Sequence, residues 1–369
     1  MTVFEEYDFG DAYDTVLADK LNFVISRCTA GFSLLCSLCV VVESYADIRC
    51  PGKGSTSVIR LLIALQIPIL IQNIVFMVGT TASPRGLIDG ARGSIATCTA
   101  QGFFATIGIV GMFFWDMALS LSYVLIVVYN WTDQSLWRLE KALHMVLWPT
   151  IVGLAIPPLF TEAYNNAWNI CFINNFPNNC LDDGVEAECV RNAGSTAMAY
   201  YILVWMSGLL AFFVSSGCIY RMYRYVNQLE KSSARYASGA GNATSEAKKR
   251  LAIQGLLYAS TFFVSSFPNL VTMTVLTATG RWSPWAELIA ITLYSLNGFY
   301  FLCIFLSRRT EMNTTFGKWM RTFVFALAQC CSPCVKTLSR FIPEESKDTT
   351  PTEFSSSGIM PPQIQTGSA

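Results

Sequence analysis

Charge is what this 369-residue chain has least of. Only 14% of its residues are Asp, Glu, Lys or Arg, whereas 53% are hydrophobic. Ordinary soluble domains carry about 25% charged residues, so lipid rather than water is the expected solvent for most of the chain. Basic and acidic residues balance at 25 each, and bulk charge therefore points to no nucleic acid. Histidine is scarcer still, with His144 alone. A zinc hydrolase built inside a helical bundle needs several such ligands, so no metal, cofactor or catalytic residue is expected, and the chain reads as a non-enzyme. Residues 285–306 contain no lysine, which removes the Schiff base that a retinal protein requires. The N-terminal MTVFEEYDFGDAYD has neither a basic start nor an apolar run, so no cleaved signal peptide is expected and the first apolar span would serve as the targeting signal. No internal repeat is visible, which counts against a transporter made of duplicated halves. A channel or transporter, or a receptor-like protein without G-protein coupling, remains the alternative to a signalling function.

What the chain does have is long apolar stretches. About 20 apolar residues cross about 30 Å of hydrocarbon, and seven stretches qualify: 22–45, 58–79, 98–129, 142–160, 198–220, 251–277 and 285–306. In lipid the backbone must satisfy its own hydrogen bonds, so each is expected to be a helix. The fold class is therefore all-α, a seven-transmembrane helix bundle. Basic residues gather in alternate connections, among them Arg49, Lys53, Arg138, Arg221, Arg224, Lys248, Lys249, Arg250, Arg308 and Arg309. This bias puts the N-terminus outside and the C-terminus in the cytoplasm, in a multi-pass protein of the plasma membrane. The glycosylation triplets at Asn130, Asn242 and Asn313 all fall on the side that charge assigns inside. Four regions follow: an acidic extracellular N-terminus (1–21), the seven-span domain (22–309), a juxtamembrane segment (310–334) and a tail (335–369). Phe316, Trp319, Met320, Phe323 and Phe325 beside Lys318 and Arg321 read as a short amphipathic helix lying on the inner bilayer surface. The tail is rich in Ser, Thr, Pro and Glu, reads as disordered, and is the expected contact for kinase- and arrestin-type regulators.

Of 13 cysteines, Cys98, Cys171, Cys180 and Cys189 fall on the outer side. An even number in an oxidising compartment predicts two disulfides, with three connectivities open. Cys98 stands at the mouth of the third span, and Cys171 is its first-choice partner because the shortest tether from the fourth span reaches it. Cys330, Cys331 and Cys334 follow the amphipathic segment and are palmitoylation candidates. Cys28, Cys36, Cys39, Cys218 and Cys303 lie within spans and read as packing residues.

The third span, CTAQGFFATIGIVGMFFWDMALSLSYVL, carries Cys98, Gln101-Gly102, Trp115 and Tyr123. Arg60-Leu61 opens the second span, Glu140-Lys141, His144 and Trp148 lead into the fourth, Pro268-Asn269 lies in the sixth and Leu296-Asn297-Gly298-Phe299 in the seventh. As an ordered set covering about residues 22–309, these motifs resemble the cyclic-AMP-receptor-like family of G-protein-coupled receptors, best known from slime moulds and related in pattern to secretin and adhesion receptors. The chain departs from that pattern at Asp116, which stands where a small hydroxyl residue is usual, and at Asn297, which replaces Gln. Tyr129-Asn130-Trp131 stands near the place of the Asp-Arg-Tyr-type triplet of rhodopsin-like receptors. The resemblance implies a heterotrimeric G protein as partner and leaves the extracellular ligand unnamed.

Single residues sharpen these expectations. Asp116 reads as the only acid deep within a span, 18 residues or about 27 Å beyond Cys98. A carboxylate there must be paired, solvated or neutral, so Asp116 is a candidate polar switch with Asn297 and Asn73 as partners. Arg27 is expected to snorkel to the interface, and Gln66, Gln72 and Asn269 to bond between helices. Pro268 is a candidate pivot in the sixth helix. A swing there would open a crevice lined by Tyr129, Arg224, Lys248, Lys249 and Arg250, where a G protein docks. Acidic residues dominate the expected outer face, including Asp182, Asp183, Glu186 and Glu188. That field disfavours anions, so cyclic AMP is not the expected ligand, with a local anion site at Arg85, Arg92, Arg191 and Arg281 as the alternative.

Overall fold

A computed structural model of the chain describes residues 9–49, 56–86, 90–167, 170–176, 190–191, 196–235, 242–279 and 283–308. All belong to one compact unit, Met1–Met312. The expectations for Cys180, Cys189, Cys330, Cys331, Cys334, the amphipathic segment and the tail lie outside the described residues.

Helix dominates, as apolar runs that must bond their own backbone require. The long elements are α1 (Phe9–Arg49), α2 (Thr56–Val78), α3 (Ile95–Val127), α4 (Asp133–Ala155), α6 (Thr196–Arg235) and α7 (Asn242–Thr279). A short α5 (Pro157–Phe160) and a hairpin of β1 (Tyr164–Ala167) and β2 (Ile170–Ile173) follow α4. The described residues end with α8 (Pro284–Ser295) and α9 (Asn297–Arg308). Among the described residues, six helices are long and apolar enough to cross a membrane. The expected seventh span is broken: α8 and α9 meet at 43°. Its apolar faces agree with lipid as solvent. Val24, Phe32, Leu35, Leu38 and Val42 on α1, and Ile202, Leu203, Met206, Leu210 and Phe213 on α6, point outward.

Local signals set the boundaries. Ser94 caps α3 in a capping box with Thr97, and Thr132 caps α4 by accepting from the Ser135 amide. That cap starts α4 at Asp133, nine residues before its apolar run. α1 likewise begins at Phe9, so helix extends into the region read as an acidic N-terminus; its apolar part starts at Leu21. Pro157 and Pro158 end the long run of α4. Pro268 stands inside α7 without ending it.

α3 is the central post, packed against α2, α4, α6 and α7, while α1 covers α2, α8 and α9. Two glycines let α2 and α3 approach closely. An added Cβ on Gly111 would stand 2.8 Å from Pro68, and one on Gly108 3.0 Å from Gln72. Small residues serve this purpose wherever helices pack in lipid. The break at Leu296 has a packing partner too. The Gly298 amide donates to Ser33 Oγ at 2.9 Å, and a side chain at Gly298 would collide with Ser33 and Ser37 of α1.

Candidate functional site

At one end of the bundle the hairpin is tied down from several directions. Cys98 on the first turn of α3 is bonded to Cys171 on β2. The bond closes a 73-residue loop, a constraint of about 4 kcal/mol on the unfolded chain in the entropy model. Gln101, one turn on, donates to the carbonyls of Val75 and Gly79 at the end of α2 and accepts from the Cys171 amide at 2.9 Å. Gly102 leaves room for the Tyr164 ring, which an added Cβ would meet at 2.5 Å. The Tyr164 hydroxyl donates to the Ala155 carbonyl, and burial pushes this phenol up to about 12, so it stays a donor. Ser83 donates to Asn166 at 2.9 Å. The Gln101-Gly102 pair, legible in the sequence only as a motif, is thus the seat of the hairpin.

Beneath the hairpin lies a cavity of about 110 Å³. Among the described residues, Phe76, Phe113, Ile170, Phe172, Val204 and Leu270 line it together with Trp205, Asn269, Glu287 and Tyr294, and its surface is almost wholly apolar. Glu287 is 2% exposed. It stands in the first turn of α8, at the start of the last apolar stretch, so Asp116 keeps its place as the acid deep within a span.

The predicted switch is arranged differently from expectation. Asp116 is buried, and its hydrogen bond comes from Ser215 of α6 at 3.4 Å. Asn73 donates to Ser33 at 3.0 Å, and Asn297 to the Met112 sulfur, one turn before Asp116. The expected Asp116–Asn297 and Asp116–Asn73 pairs are replaced by these contacts because α6, not α2 or α9, supplies the hydroxyl at that level of α3. Arg27 reaches the end of α2. It donates to the Val78 carbonyl and to Thr81 at 2.8 and 2.6 Å and lies over the Phe23 ring. Gln66 and Gln72 are buried with no hydrogen-bond partner for their amide groups, contrary to the expected interhelical bonds. At Gln72 the reason is plain: Gly108 faces it with no side chain.

The opposite end of the bundle holds the remaining candidates. Lys248 Nζ at the start of the apolar part of α7 donates to Asn130 Oδ1 at 2.6 Å, beside the exposed Tyr129. Asn130 has a positive φ of 55° that carries the chain off the end of α3. Arg224 lies with Tyr220 on its own helix, its guanidinium 5.7 Å from the ring centre; Lys249 and Arg250 follow Lys248 on α7. Tyr123 of α3 stacks on Tyr258 of α7, which stacks on Phe301 of α9, with centroids 5.9 and 5.5 Å apart. Arg60 of α2 forms a two-pronged pair with Glu140 of α4, both bonds at 2.7 Å. Both residues were visible as separate motifs, but their pairing was not. Trp115 packs on His144 and Trp148, and the Trp148 indole donates to His144 Nδ1 at 3.2 Å. Comparison of the chain with protein-family models and with curated proteins finds no match.

Proposed function

We propose that the chain is a seven-span receptor of the G-protein-coupled kind. The hairpin end faces outside and takes a ligand; the opposite end faces the cytoplasm and engages a heterotrimeric G protein. One observation carries this reading. A cavity roofed by a disulfide-anchored hairpin is walled by α3, α6 and α7, and the far ends of α3 and α7 meet at a polar latch, Lys248–Asn130. Helices that share a ligand wall at one end and a breakable seam at the other are suited to passing a binding event along their length. The motif set that resembles cyclic-AMP-receptor-like proteins supports the same reading, with α8 and α9 together forming the seventh span. Guanine-nucleotide exchange on a co-reconstituted G protein tests it. Exchange is expected with the wild-type chain and is sharply reduced when Lys248, Lys249 and Arg250 are all changed to alanine, with insertion unaffected. Full activation by the triple variant at equal surface level would remove these residues from the mechanism. Ion flux through liposomes without any nucleotide exchange would replace the receptor reading with a channel.

A further inference from the structure

The basic end of the bundle carries one arrangement three times. On α1 the Arg49 guanidinium lies 4.6 Å from the centre of the Tyr45 ring and donates to its hydroxyl at 2.7 Å. On α6 Arg224 lies 5.7 Å from the Tyr220 ring and donates to its hydroxyl at 3.4 Å. On α4 the Lys141 ammonium stands 3.4 Å over the Trp137 ring. The two members of each pair share a helix face, and all six side chains are exposed. Those faces continue the outward apolar stripes. Leu35, Leu38 and Val42 lead to Tyr45 and Arg49 along α1, and Leu210, Phe213 and Gly217 lead to Tyr220 and Arg224 along α6, each at alternating steps of three and four residues. On α4 the exposed Met145 follows Lys141 by one turn. α1 packs on α2 and α9, α4 on α2 and α3, and α6 on α3 and α7, so the pairs are spread around the bundle. Among the described residues none of the three cations is paired with a carboxylate. Arg27, over Phe23 at the hairpin end, differs: it turns its donors inward to Val78 and Thr81. Rings of this kind sit at the level of lipid headgroups, and a basic group beside them attracts anionic lipid. We propose that the three pairs bind anionic phospholipid, the cation meeting the headgroup phosphate, the ring standing at the glycerol level and the acyl chains lying along the apolar stripe. The proposal rests on these helices crossing a bilayer, and its test needs neither a G protein nor a known orientation.

The full chain is placed in phosphatidylcholine nanodiscs with a trace of phosphatidylglycerol that carries a diazirine near the top of one acyl chain, and the adducts are mapped after illumination. A phosphatidylcholine probe of the same design serves as reference. Phosphatidylglycerol adducts should concentrate at residues 38–45, 141–145 and 213–220 and exceed those of the reference several-fold. Arg49→Gln should lower labelling on α1 about fivefold, the share of one basic group at an anionic lipid, and leave α4 and α6 unchanged. Arg224→Gln should do the same on α6 alone. Arg221→Gln, which removes a neighbouring exposed charge that has no ring beside it, should leave α6 labelling close to wild type. Tyr220→Leu keeps the charge of Arg224 and should still weaken labelling there. Glycerol 3-phosphate in solution should not displace the probe. Equal labelling by the two probes, a uniform loss over all three helices in Arg49→Gln, or a loss in Arg221→Gln as large as in Arg224→Gln would each overturn the proposal, the last two in favour of a diffuse field. Displacement by glycerol 3-phosphate would overturn it in favour of a soluble anion. Headgroup-selective labelling without nucleotide exchange would leave this inference standing and sink the receptor reading; exchange without selective labelling would do the reverse.

Discussion

Asp116 and Glu140 are both buried acids, and their surroundings give them different work. Glu140 faces Arg60 through two 2.7 Å bonds, and Ser57 adds a third contact to the guanidinium at 3.0 Å. Its side chain is only 8% exposed. Removing the partner leaves a buried charge, at a cost of about 3 kcal/mol. Arg60→Ala should therefore lower thermal stability in detergent strongly, whereas the double change Arg60→Met with Glu140→Leu should recover most of the loss. Equal melting temperatures for the single and double variants would contradict the pairing. Asp116 has only a 3.4 Å hydroxyl contact, too weak to hold a charge on that evidence alone. Asp116→Asn keeps the shape and can still accept from Ser215. Folded yield should survive while basal nucleotide exchange shifts. A well-expressed variant with unchanged basal and stimulated exchange would leave Asp116 with a static role.

At the scale of elements, the hairpin and α3 act as one piece. Cys98→Ser removes the covalent anchor but leaves the Gln101 bonds and the Tyr164 seat. The variant should fold, show reduced surface expression and lose ligand response; recovery of a free thiol at Cys98 from the wild-type chain by mass mapping would refute the anchor outright. Much of this level was legible beforehand. Runs of apolar residues that must bond their own backbone became helices where expected, and the shortest-tether partner of Cys98 is the one bonded to it. The hairpin was not legible, because Tyr164–Ala167 and Ile170–Ile173 are four-residue strands without a clear alternation. Nor was the 43° break, since Leu296 carries no proline and is enforced by the close approach of Gly298 to α1. The Arg60–Glu140 pair spans 80 residues of sequence, and only the packing of α2 near α4 brings its halves together. Gln72 differs for the converse reason: polarity predicts a partner, and Gly108 opposite it supplies none.

For the whole molecule, the cavity, the hairpin and the disulfide share one end, while Lys248, Arg224 and the Arg60–Glu140 pair share the other. The basic side is the second, so on the proposed receptor reading the bias in Lys and Arg would orient the hairpin end outward. Tags at residue 2 and residue 369 should label outside and inside, respectively, in intact cells. Surface labelling of the C-terminal tag would invert the molecule and with it the direction of signalling.

The Cys98–Cys171 bond also has a bearing on biosynthesis. Both sulfurs belong to the first half of the chain, and every element that seats the hairpin, from α2 to α4, precedes α6. In the orientation proposed above, Cys171 reaches the oxidising side during translation only after α4 has been inserted. The bond then closes on four spans without waiting for the rest. A nascent chain stalled between α6 and α7, with Cys171 clear of the ribosome, should already be oxidised, so the hairpin is anchored before α7 has left the ribosome.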